Sequence, residues 1–133
     1  MKMLLGHDWV DRDARIEVRD PFDDSLVDTV PRAGPADIET ALRTAVAGFE
    51  TARRMTVHDR AAILVRAAEI VNSDVSGFAT TIAGEGSKTI REATKEARRC
   101  GNTLTISAEE SKRLLGETIP FDSFPGGEKR KGY

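Results

Sequence analysis

Four successive apolar stripes at helical spacing, spread over residues 35–116, constrain this chain more than any other feature. Gly34-Pro35 opens the first, with proline at the first helical position, where a missing N–H costs nothing. Ile38, Ala41, Leu42, Ala45 and Phe49 then recur at i, i+3, i+4, i+7 and i+11, which is one face of a helix. Thr56 is the N-cap of a second helix, with Asp59 in the place of a capping-box acid. Its stripe is Ala61, Leu64, Val65, Ala68 and Val71, and Ile63, Ala67 and Ile70 add a second apolar side. Asn72-Ser73 ends it and caps a third helix carrying Val75, Phe78, Ala79, Ile82 and Ala83. A long fourth helix is predicted from about Ser87 to Leu115, with Gly116 as its stop. Its stripe, Ile90, Ala93, Ala97, Cys100, Leu104, Ala108 and Leu115, places Cys100 in the core as a small hydrophobe.

The first 31 residues read differently. "RIEV" (15–18) and "SLVDTV" (25–30) are short, partly β-branched strands. Between them, "RDPFDD" supplies a proline that fixes φ and aspartates that bond their own backbone. A β-hairpin is predicted, with "LLGHDWV" as a further edge strand. Residues 117–133, with two prolines and three glycines, read as loop or extended chain. The segment is thus a hairpin followed by about four helices, without a nucleotide-binding parallel sheet.

Charge narrows the function. Twenty basic and 22 acidic residues are evenly mixed, for a net charge of −2, and no basic stripe offers itself to nucleic acid. One cysteine and two scattered histidines give no metal spacing, and no apolar run is long enough for a membrane span. A cytoplasmic chain is expected, with no nucleic-acid and no membrane partner. No G-x-G-x-x-G follows a strand, and "GEGSK" (84–88) is read as a hinge between helices. His7 and His58 are read as surface residues. Arg98 and Arg99 precede Cys100, but no base is placed to activate the thiol, so no catalytic role is assigned to it. Lys88–Glu92 and Glu96–Arg99 are predicted as ion pairs lacing a solvated face.

The order of short motifs resembles the NAD(P)-dependent aldehyde dehydrogenases. "LLGHDWV" resembles that family's opening "I-N-G-x-W", and "VRDPFDDSLVDTVP" its "N-P-x-x-G-x-x-I-x-x-V-P". "PADIETALRTAVAGFE", "HDRAAILVRAAEIV" and "EGSKTIREATKEARR" are similar to the helical motifs that follow, and "GETIPFDSFPGGEKRKGY" to the stretch before "P-W-N-F-P". Ala52, Asp20, Ser87 and Thr89 depart from the family pattern at scaffold positions.

The resemblance implies an α/β fold, of which residues 1–133 are the N-terminal part of the cofactor domain. It implies NAD or NADP for the full enzyme, none binding this chain alone, and a homo-oligomer when complete. The remainder of the dehydrogenase chain would be its partner. The family's catalytic cysteine, general base and cofactor motif match no residue here, so no catalytic, cofactor or metal residue is assigned, and the segment alone is expected to be inactive. Arg99 matches an arginine that members acting on phosphorylated or phosphonylated aldehydes use to hold the anionic head group. The surrounding stretch looks closest to phosphonoacetaldehyde, lactaldehyde and glyceraldehyde-3-phosphate dehydrogenases. The competing expectations are an Arg99–Glu96 surface pair and, for the whole chain, a stand-alone helical interaction module.

Overall fold

A computed structural model of the chain describes residues 1–114, 116, 117, 119, 120, 125–127, 129, 131 and 132. It opens with two separate antiparallel hairpins where one hairpin and an edge strand were expected. The first joins β1 (Met3–Leu5) to β2 (Asp8–Val10), pairing Leu4 with Trp9. Its two-residue loop begins at Gly6, whose φ of 65° suits the first position of a type II′ turn. The second joins β3 (Arg15–Arg19) to β4 (Leu26–Pro31), with a register shift between Val18 and Arg19. The aspartates of its loop act as anticipated. Asp20 accepts from the Phe22 N–H at 2.8 Å and Asp23 from the Ser25 N–H at 3.0 Å, while Asp24 sits at a φ of 61°.

Four helices follow, α1 (Pro35–Ala52), α2 (Val57–Ser73), α3 (Val75–Gly86) and α4 (Ile90–Ser111). Side chains begin each of them. At α1 the Asp37 carboxylate accepts from the Gly34 N–H at 2.9 Å and is gripped by Arg12, whose Nε lies 3.3 Å away. Thr56 accepts from the Asp59 N–H at 3.1 Å, and Asp74, next to the expected Asn72-Ser73, accepts from the Gly77 N–H at 2.9 Å. The fourth helix is shorter than its pattern. Ser87 takes a left-handed φ of 54°, so "GEG" belongs to the last turn of α3 and the break falls one residue later. Thr89 then caps α4 in a reciprocal box with Glu92. The helix stops at Ser111, ahead of Gly116, and Leu115 lies outside the described residues. Near the end, β5 (Ile119–Pro120) pairs antiparallel with β6 (Lys131–Gly132). The rest of the predicted 117–133 loop lies largely outside the described residues.

The core is made of methyl groups. Among the described residues the buried hydrophobic ones are Ala61, Ala68, Ala79, Ala93, Ala97 and Ala108, and α4 packs chiefly against α2 and then α3. Small residues let helix backbones come close. At the tightest point a Cβ added to Gly101 would lie 2.2 Å from Asn72 Oδ1. Gly101 is therefore the buried member of the α4 stripe, and Cys100, expected in the core, is exposed. Hydropathy ranks cysteine above glycine, but Gly101, facing the Asn72 side chain of α2, is the neighbour that turns inward. The large apolar side chains have the opposite fate. Ile38, Leu42, Val46 and Phe49 of α1 are each more than half exposed, as are Ile63 and Ile70 on α2. The main neighbour of α1 is the short strand β1.

Candidate functional site

On α4 the side away from the alanines is charged. Glu92, Lys95, Glu96 and Arg99 recur at intervals of three and four, so they share one side of the helix, and Lys88 precedes it by way of the Thr89 cap. Together they line an open concavity of about 490 Å³. Three cations against two carboxylates leave one positive charge in excess.

Neither predicted ion pair forms. Glu92 is engaged at the start of the helix, accepting from the Thr89 hydroxyl at 2.9 Å. Lys88 reaches past it and bonds the Glu96 carboxylate instead. That hydrogen bond, then the charge of Lys88 and that of Arg99, hold the Glu96 carboxyl below the usual carboxylate range. Arg99 is exposed and, among the described residues, forms no ion pair and no side-chain hydrogen bond. Lys95, one turn earlier, is in the same position. The site thus presents two cationic heads four residues apart, suited to an anion. Sequence reading singled out Arg99 and passed over Lys95, although the i,i+4 spacing between them was legible.

The other candidates stay apart. Cys100 is exposed beside Arg99, and its thiol is free and, among the described residues, has no side-chain hydrogen bond. His7 and His58 are both exposed and lie on different elements. Among the described residues no group of three or more His, Cys, Asp or Glu side chains is arranged to hold a metal, and no helix is long and apolar enough to cross a membrane. The described strands pair only antiparallel.

Comparison with known proteins decides the family. The aldehyde dehydrogenase family model matches residues 9–131. The chain belongs to the aldehyde dehydrogenase family. It is 48% identical over 120 residues to an aldehyde-dehydrogenase-like protein of Sinorhizobium fredii, covering 90% of this chain and 23% of that one. It is 42% identical over 118 residues to aspartate-semialdehyde dehydrogenase 1 of Pseudomonas canavaninivorans, covering 89% and 25%. Its structure superposes on aldehyde dehydrogenase 21 of Physcomitrella patens, solved with the reaction product succinate. The TM-score is 0.92 and the identity 28%, with 98% of this chain and 27% of that one covered. The chain thus spans about a quarter of the length of these relatives. The hairpins and four helices are the N-terminal region of the aldehyde dehydrogenase fold.

Proposed function

We propose that the chain works as the N-terminal segment of an NAD(P)-dependent aldehyde dehydrogenase, and that Arg99 holds the anionic head group of the aldehyde. The observation that carries this reading is the exposed Arg99 guanidinium, without an ion-pair partner among the described residues, in a concavity with net positive charge. A guanidinium binds a carboxylate, phosphonate or phosphate through two parallel hydrogen bonds, which a lysine does not reproduce. The semialdehyde named for the Pseudomonas relative, and the succinate held by the Physcomitrella enzyme, both carry a carboxylate at the end remote from the reacting carbon. The complete enzyme takes its hydride acceptor, NAD or NADP, and its nucleophile from parts of the fold that this segment lacks. The remaining fold is its partner, and the complete enzyme is a homo-oligomer.

The test is Arg99→Ala in the complete enzyme, assayed with an anionic semialdehyde and with neutral benzaldehyde. Losing a charged partner of a desolvated anion costs ~2–5 kcal/mol, tens- to thousands-fold in kcat/KM for the anionic substrate. Arg99 as a surface charge predicts a loss of ~0.2–1 kcal/mol, equal for both substrates. Equal, small losses remove Arg99 from the site.

A further inference from the structure

The sequence places Glu96 three residues before Arg99, at the spacing of a helical ion pair, yet Glu96 is bonded to Lys88 from the loop that precedes α4. A carboxylate beside Arg99 is a built-in competitor for any anionic substrate, because it offers the guanidinium the same two oxygens. We infer that Lys88 is a positioning residue. By holding Glu96, it leaves the Arg99 guanidinium open to the substrate's anionic head group. This rests on the reading of Arg99 as the anion contact.

Three features support it. Lys88 follows the left-handed Ser87 and precedes the Thr89 cap, so both sides of the loop fix where its backbone sits. Glu92, the carboxylate nearer to Lys88 in sequence, is occupied by Thr89 and leaves Lys88 to Glu96. Glu96 is the half-buried member of the pair, and Arg99 still acts on its charge, so the alternative partner is within electrostatic reach.

The experiment is a rescue series in the complete enzyme, reading the ratio of kcat/KM for an anionic semialdehyde to that for benzaldehyde. Lys88→Met frees Glu96 to turn to Arg99, and the ratio falls about 2- to 5-fold, the scale of an exposed ion pair. Adding Glu96→Gln removes the competitor, and Lys88→Met/Glu96→Gln returns the ratio to its starting value. A direct contact between Lys88 and the substrate would leave the double variant as impaired as the single one. A ratio unchanged by Lys88→Met, or a loss that persists in the double variant, overturns the inference. Failure of Arg99→Ala to separate the two substrates instead overturns the reading on which it rests. Should Lys88→Met fold poorly by circular dichroism, Lys88→Leu, which also has no donor for Glu96, serves in its place with the same outcomes.

Discussion

Asp37 does three jobs with one carboxylate. It sits in the first turn of α1, accepts the Gly34 N–H, and takes two hydrogen bonds from Arg12, at 3.3 Å from Nε and 2.5 Å from Nη2. The bonds from Arg12, then that from Gly34, hold its carboxyl below the usual range although burial opposes this. A carboxyl with a lowered folded-state pKa stabilises the fold above its unfolded pKa, about 3.9. That contribution is lost as pH falls through the folded value. Asp37→Asn is therefore less stable than the parent at pH 7 in urea unfolding, and the gap narrows as the pH falls below the unfolded value and through the lowered folded one. A gap that does not narrow on acidification argues that Asp37 contributes through shape alone. The Arg12–Asp37 link was invisible in the sequence because its partners stand 25 positions apart, beyond any local pattern. The turn aspartates were legible, since their chemistry is local, and so was the place of Arg99 on the charged side of α4, which helical spacing gives.

The helices were legible as elements, and less so at their ends and in their buried faces. Periodicity gave four helices and the Thr56 cap, because an apolar repeat persists over many residues. It missed the start of α4 by three positions and its end by four. A terminus is set by one backbone conformation, at Ser87, and one capping box, Thr89–Glu92. It also exchanged Cys100 for Gly101, since hydropathy ranks cysteine above glycine and does not register which of two neighbouring residues faces α2. The alanine interface invites a test. Ala97 is almost fully buried where α4 packs, and Ala97→Leu adds three carbons in a space sized for one. Overpacking of this kind costs about 1–3 kcal/mol. Chemical unfolding should show that loss, while Ala47→Leu, on an exposed stretch of α1, should leave stability within ~0.5 kcal/mol. Equal effects at the two positions would mean that the α4 interface is looser than the Gly101–Asn72 approach indicates.

At the scale of the molecule, the stripes read as core-facing are only partly covered. On α1 the stripe Ile38, Leu42 and Phe49 lies open, and so does the second side of α2 at Ile63 and Ile70. The pattern was read correctly as apolar. Which surface covers them is not a local property, so no local reading supplies it. Contiguous apolar surface drives association. The purified 133-residue chain is therefore expected to self-associate in light scattering and to bind a hydrophobic dye. It should also form no NAD(P)H in an absorbance assay with aldehydes. A dye-negative monomer would favour a self-sufficient interaction module.

The alanine core also governs how such a chain responds to temperature. Methyl groups bury little hydrocarbon, and the heat-capacity rise on unfolding grows with the hydrocarbon newly wetted. The isolated segment, whose largest apolar side chains are already wet, has an increment below the ~12–15 cal/mol/K per residue of ordinary domains. Its stability curve is correspondingly shallow, with little difference between cold and warm. The curvature typical of a folded enzyme is acquired only when the bare stripes of α1 and α2 are covered.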